Sequence, residues 1–328
     1  MDALERFYSK LSLVEAEMAR VVPRNAQPAE VYGLIWEFLD RGGKRFRPML
    51  ALSCARAVGG TPADALPAAA AIELFHNFTL IHDDIEDDSQ LRRGQPCLHI
   101  AHGLPLALNA GDGLFMMVWR AALRIRSSHA AAAQEQLLSA FTAVLEGQAI
   151  ELNWHHSNSW DIGEKDYLRM VGGKTAALVE ASCSVGALLG GGSPAQQKAL
   201  ARFGRSTGIA FQIQDDVLNL VGEVEKYQKE IGGDIREGKR TMMVLHALPR
   251  LASSDAQKMR SILGSQSADQ SQIQWCVEQM KSAGSIDYAS RYARRLVDGA
   301  LKDLRTLPPS EARDELEAVA HYIISREK

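Results

Sequence analysis

Two short runs of this chain concentrate carboxylates where neighbouring residues are apolar. The first is Leu80-Ile81-His82-Asp83-Asp84-Ile85-Glu86-Asp87-Asp88-Ser89-Gln90-Leu91-Arg92-Arg93-Gly94. At 3.6 residues per turn, Asp83, Asp84 and Asp87 fall within about 100° of one helix face. Three carboxylates so placed repel one another, and a solvated acidic face is the ordinary outcome. Two features argue against it: an apolar run, Ile72 to Ile81, precedes the cluster, and Arg92-Arg93 places cations about two turns beyond it. The second run is Phe211-Gln212-Ile213-Gln214-Asp215-Asp216-Val217-Leu218-Asn219-Leu220. Asp215, Asp216 and Asn219 repeat the spacing, and Gln212 lies one turn earlier on the same face. Burying unpaired carboxylates is costly, so packing alone does not account for two such clusters. Divalent cations do: Mg²⁺ is typically held by one or two carboxylates together with substrate phosphates and water. The pattern reads as a diphosphate–magnesium clamp.

Such a clamp needs cations for the phosphates. Arg41-Gly42-Gly43-Lys44-Arg45-Phe46-Arg47-Pro48 offers a glycine turn followed by three of them. Lys44 and Arg47, at i and i+3, are expected to share a helical face and grip one diphosphate, the arginine bidentately. A later stretch, Lys229 to Thr241, carries Lys229, Lys239 and Arg240 around tight turns. Gly172-Gly173-Lys174-Thr175 invites a P-loop reading, but that motif needs glycine where Leu168 stands and a preceding strand. Lys174 and Thr175 therefore read as mid-helix. Gly111-Asp112-Gly113 lacks a dinucleotide-binding context. Trp154, His155 and His156 read as a polar loop before Asp161, and Met116-Met117 as core packing.

The elements that must position these groups are helices. Apolar residues recur at three- and four-residue steps, as in Leu137, Leu138, Phe141, Val144 and Leu145. No run alternates convincingly as a strand, and no hairpin dipeptide joins two alternating runs. Glycine and proline clusters cut the chain into helix-sized pieces, none of them long enough for a linker. The expectation is one all-α domain over residues 1–328, a large bundle of mostly antiparallel helices. Ala51–Ala57, Ala65–Leu74 and Leu178–Leu189 are apolar on most faces, which places them in a core or against a partner subunit. A net charge of −3 gives no global basic footprint for nucleic acid or an anionic membrane. The four cysteines, Cys54, Cys97, Cys183 and Cys276, form no CxxC pair, so buried free thiols in a reducing compartment are expected. The first twenty residues carry charges throughout and no run has the length of a membrane span. A cytoplasmic protein is expected.

In order, GGKRFRP, LIHDDIEDDSQLRRG, GQAIEL, KTAAL, FQIQDDVLNL, KEIGGDIREGKRT and LPPSEARDELEAVAHYIISREK span nearly the whole chain. This ordered set resembles the trans-type isoprenyl diphosphate synthases, the polyprenyl synthetase family. The resemblance implies helices around a deep central cavity, usually as a homodimer. It implies condensation of isopentenyl diphosphate with an allylic diphosphate (dimethylallyl, geranyl or farnesyl). Asp83, Asp84 and Asp87 would bind two Mg²⁺ ions on the allylic diphosphate, and Asp215 a third, with Asp216 and Asn219 in support. Arg92, Lys174, Lys229 and Lys239 would contact that diphosphate. Lys44, Arg47, His76 and Arg93 would hold isopentenyl diphosphate. Gln212 and Thr175 would point oxygen dipoles at the developing allylic cation.

Two residues depart from the family pattern. Asn219 stands where many relatives have aspartate, and Gln228 replaces a common glycine before Lys229. Product length is expected to depend on the turns before Asp83, where Phe75, Phe78 and Thr79 lie. In the family, bulky rings at both the fourth and fifth upstream positions stop growth at C15, whereas one aromatic beside a small residue goes with C20. Phe78-Thr79 thus points to geranylgeranyl diphosphate, with farnesyl diphosphate the alternative. A terpene cyclase would share the fold and the first acidic motif, but it leaves GGKRFRP and Arg92-Arg93 unexplained. A non-catalytic subunit tends to lose the acidic motifs, and both are present.

Overall fold

The computed structural model describes residues 2–221 and 232–325. They form helices almost throughout, so the all-α expectation holds. The contacts divide the chain into two compact units: Met1–Phe141, Ala181–Ala201 and Thr306–Leu316 in the first; Thr142–Glu180, Arg202–Arg305 and Glu317–Lys328 in the second.

The first unit begins with α1 (Ala3–Tyr8), α2 (Leu11–Val21), α3 (Ala29–Leu39) and α4 (Phe46–Ala57). They lead to α5 (Pro62–Glu86), the long element that carries the first acidic cluster at its end. α5 opens with proline at its first position, and the Asp64 carboxylate accepts from the Thr61 N–H at 2.7 Å. Its middle is apolar all round, and Ala68 to Ile72 are completely buried. α5 packs on α2, α4 and α7 (Leu104–Ala122), with the short α6 (Leu98–His102) before α7. It stops because Asp88 takes a left-handed conformation, φ 49°, which lets the Ser89 N–H return to the Asp84 carbonyl at 2.9 Å. α8 (Ala130–His156) starts in this unit.

One small hairpin breaks the all-helical pattern: Leu91–Arg92 pairs antiparallel with Gln95–Pro96. Its two-residue turn, Arg93-Gly94, has φ of 55° and 76°, as a type I′ turn requires. The absence of any hairpin was expected; strands of two residues have no alternation to reveal them.

The second unit holds α9 (Glu164–Val171), a π-helical turn at Gly172–Ala176 and the start of α10 (Ala177–Leu189). It also holds most of α11 (Pro194–Val221), then α12 (Gly233–Glu237), α13 (Met242–Ala247), α14 (Ser253–Ile262), α15 (Gln270–Ser282) and α16 (Ser285–Leu304). α17 (Glu311–Ser325) closes the described chain. Trp154, His155 and His156 sit in the last turn of α8, not in a loop. There the buried Arg240 lies over the Trp160 ring and donates to the Trp154 and Gly238 carbonyls, so the group serves packing. All four cysteines are free and buried. Among the described residues no helix is long and apolar enough to cross a membrane.

Arg45 anchors the start of α4. Its guanidinium, 5% exposed, donates to Glu73 Oε1 and to the Leu39 carbonyl, each at 2.8 Å. Glu73 is 2% exposed, so removing the arginine strands a buried carboxylate. Arg45→Ala is expected to destabilise by about 3–5 kcal/mol in denaturant titrations. Arg45→Met with Glu73→Leu should lose much less.

Candidate active site

In the first unit the end of α5 meets the hairpin. Asp84 is 1% exposed, and its Oδ1 accepts from Arg92 Nε at 2.8 Å and Nη2 at 2.5 Å. Its Oδ2 is buried and makes no hydrogen bond among the described residues. The Cys97 thiol beside this carboxylate is pushed up to about 12, by burial and then by the Asp84 charge, so it stays neutral. Asp83 is half-buried in the last turn of α5, and Asp87, which caps the helix, is exposed. The turn that aims Arg92 at Asp84 sends Arg93 the other way, onto the Gly42 carbonyl. A Cβ on Gly43 would meet the Arg93 guanidinium at 2.7 Å, and Gly43 has φ 135°, so glycine is required there. The GGKRFRP and RRG motifs are thereby joined.

Lys44 and Arg47 do not share a helix face as expected. α4 begins at Phe46, and Arg45 before it is left-handed, φ 46°, so Lys44 precedes the helix. Lys44 is exposed and Arg47 half-buried. Arg47 Nη1 lies 3.3 Å from His76 Nε2. Burial, then the charges of Arg47 and Arg93, holds His76 well below the ordinary histidine value. It is neutral at pH 7 and can accept from Arg47.

One and two turns before Asp83, Phe75 and Phe78 are buried, and Thr79 is half-buried with its hydroxyl on the His76 carbonyl at 2.9 Å. Phe75 stacks on Phe141 at 3.9 Å between centroids, and Phe78 faces Phe115 at 5.0 Å. Only folding brings Phe115 and Phe141 to α5.

In the second unit, Lys174 and Thr175 lie within the π-helical turn. Such turns widen the ladder by one residue and recur at functional sites. A Cβ on Gly147 would sit 2.2 Å from the Lys174 nitrogen, and one on Gly173 would sit 2.6 Å from the Ala143 carbonyl, so two glycines admit a close backbone approach. Lys174 Nζ meets Glu151 Oε2 at 2.5 Å. Burial opposes the Glu151 charge, but Lys174 outweighs it and holds the carboxyl below its usual range. Thr175 Oγ1 donates to Gln212 Oε1 at 2.9 Å, and Gln212 Nε2 donates to Asp216 Oδ1 at 2.8 Å. The Tyr167 hydroxyl donates to Asp216 Oδ2 at 2.8 Å.

Asn219 serves the backbone. Its Oδ1 accepts from the Asp234 N–H at 3.1 Å, and its carbonyl accepts from the Gly232 N–H at 2.9 Å. Asp234, which the sequence reading passed over, is 7% exposed and pairs with Lys239 at 2.8 Å. Burial opposes the Lys239 charge, yet Asp234 and Glu237 raise it well above the ordinary lysine value. The sequence reading also passed over Tyr167 and Glu151. Lys229 and Gln228 lie outside the described residues.

The polyprenyl synthetase family model matches residues 28–280. This chain belongs to the polyprenyl synthetase family. A short chain isoprenyl diphosphate synthase of Methanothermobacter thermautotrophicus is 42% identical over 290 residues, 88% of each chain. A geranylfarnesyl diphosphate synthase of Natronomonas pharaonis is 35% identical over 318 residues, 92% of this chain and 91% of the other. The crystal structure of a geranylgeranyl pyrophosphate synthetase from Pyrococcus horikoshii superposes with a TM-score of 0.93 at 37% identity, covering 99% of this chain and 98% of that one.

Family membership raises the question of a divalent cation. Among the described residues, no three histidine, cysteine or acidic side chains stand close enough to hold an ion by themselves. In the first unit, the buried Oδ2 of Asp84, which makes no hydrogen bond among the described residues, is an acceptor a cation would satisfy. Asp216 is pushed up to about 8, by burial and then by the Asp234 charge, against the downward pull of Gln212, Lys239 and Tyr167. Its value in the fold lies above the ordinary 3.8, so the metal-free fold binds this proton more tightly than the unfolded chain does. The stability this adds is complete below about pH 4 and is lost as pH rises toward 8. The melting temperature of chelator-treated protein should therefore fall by several degrees between pH 5 and pH 9. Asp216→Asn should flatten that slope in calorimetry.

Proposed function

We propose that the chain is a magnesium-dependent prenyltransferase acting as one unit over residues 1–328. It joins isopentenyl diphosphate head-to-tail to an allylic diphosphate and releases diphosphate, with geranylgeranyl diphosphate (C20) the main product. The observation that carries this reading is the junction at the end of α5. There Arg92 grips Asp84 while Arg93 closes on the Gly42 turn that leads to Lys44 and, in α4, Arg47. An anionic leaving group and a second diphosphate each have cations to meet.

In the reaction, the allylic C–O bond breaks and its electron pair leaves with the diphosphate. The alkene of isopentenyl diphosphate attacks the cation, a C–C bond forms, and one proton is lost to the released diphosphate. Bound magnesium would neutralise charge gathering on the leaving group, held by Asp83, Asp84, Asp87 and Asp215 with Asp216 in support. Asn219, whose amide oxygen serves the Asp234 N–H, would act there through the loop it holds. Arg92, Lys174, Lys229 and Lys239 would add positive charge that counts most in the transition state. Lys44, Arg47, His76 and Arg93 would hold isopentenyl diphosphate. Neutral His76 would steer the Arg47 guanidinium. Gln212 and Thr175 would turn oxygen atoms toward the allylic cation, and apolar walls would exclude the water that quenches it.

A homodimer fits an apolar stripe along α7 and its cap, where Leu104, Leu108, Met116 (expected in the core) and Leu123 are all exposed; sedimentation equilibrium reads it directly. Incubation with labelled isopentenyl diphosphate and each allylic primer tests the activity. Chain elongation supports it, a cyclic hydrocarbon means a cyclase, and silence means a non-catalytic subunit. Asp83→Ala should lower turnover by orders of magnitude and leave the fold intact.

Farnesyl diphosphate is the second reading of the product. Each added five-carbon unit gains roughly 0.8 kcal/mol per buried CH₂, so only steric blockage ends growth. Phe78 backed by Phe115 supplies bulk and Thr79 does not. Phe78→Ala should lengthen the main product, Phe78→Ala with Phe115→Ala should lengthen it further, and Thr79→Phe should shorten it. An unchanged product distribution in the double variant on chromatography would place the blockage elsewhere.

A further inference from the structure

A glutamine side chain ends in an acceptor and a donor, and only the acceptor stabilises a nearby cation. What fixes the Gln212 amide therefore bears on catalysis. Its Nε2 donates to Asp216 Oδ1 at 2.8 Å, which turns Oε1 toward the Thr175 hydroxyl at 2.9 Å. Both oxygens of Asp216 accept, the second from Tyr167 at 2.8 Å. As placed, Gln212 Nε2 and the Tyr167 hydroxyl both donate to Asp216, so a flipped Gln212 would give up its donor to Oδ1 and turn its own oxygen onto that acceptor. Asp216 is 4% exposed and Tyr167 1%, so water has little access to replace either bond. Gln212 and Asp216 lie one turn apart on α11, while Tyr167 arrives from α9, just before the π-helical turn that bears Thr175. The tyrosine thus ties the orientation of the amide to the segment that carries its other partner.

We propose that Tyr167 and Asp216 are positioning residues that lock the Gln212 amide with its oxygen toward the allylic centre. The inference rests on the prenyl-transfer reading above. Tyr167→Phe removes one oxygen and keeps the ring. It should lower kcat about tenfold, the size expected for one hydrogen bond to a charged group. KM for both substrates and the half-saturating Mg²⁺ concentration should stay within about twofold, since no group in contact with either is removed. In a Gln212→Ala background the same change should have no further effect, because residues that act through one another are not additive. Calorimetry checks that the variants fold. An equal loss in both backgrounds overturns the proposal. So does a raised Mg²⁺ requirement with kcat intact at saturation, which would make Tyr167 a support for metal binding alone. A Gln212→Ala enzyme with unchanged kcat overturns it as well. Failure of the underlying reading looks different: the parent protein would form no prenyl diphosphate from any primer.

Discussion

The fold turns on how it buries negative charge. Taking a carboxylate out of water is tolerable only when fixed donors replace the water. Several buried acids show how this is done. Glu73 receives Arg45, Asp84 receives Arg92 on one oxygen, Asp216 receives Gln212 and Tyr167, and Asp234 receives Lys239. Glu315 takes Ser53 and Arg56 at 2.8 and 2.6 Å, fastening the start of α17 to α4. Structural pairs such as Arg45–Glu73 are closed. Asp84 is met on one oxygen only among the described residues, and burial with the Asp234 charge holds Asp216 near 8.

The backbone supports this with strain placed where a direction must change. Arg45, Asp88 and Arg93 are left-handed without being glycine. Each costs energy, and each changes direction beside a charged group: before Arg47, after Asp87, and between Arg92 and its partner strand. Arg92 and Arg93, adjacent in sequence, could not serve opposite neighbours from a helix.

Much of this was legible in the sequence. The carboxylate spacing, the cation runs and the three-to-four periodicity are local patterns, and the structure realises them as one helix capped by Asp87 and another spanning Gln212 to Asn219. Where the reading fell short, the deciding information was not local. Lys44 and Arg47 matched a helical step, but Arg45 between them is called inward by Glu73, twenty-eight residues on. The hairpin is too short for alternation to register. Tyr167, Glu151 and Asp234 are ordinary helix or loop residues until α9, α8 and α12 bring them against Asp216, Lys174 and Lys239. Asn219 matches the carboxylate spacing, and folding adds a partner that no local pattern shows: its amide oxygen accepts from the Asp234 N–H, fifteen residues on.

α5 runs unbroken for 25 residues, about 37 Å at 1.5 Å per residue. The aromatic residues at its middle and the aspartates at its end therefore stand at a fixed spacing, with no hinge to blur it. If the product grows along this rod, the rod is a ruler graduated in turns. A bulky side chain moved by one turn changes the available depth by about 5.4 Å, while moved by a single residue it swings about 100° off the measuring edge. Relatives that share this helix could then make products differing in whole five-carbon steps through one or two substitutions, with the reacting end left untouched.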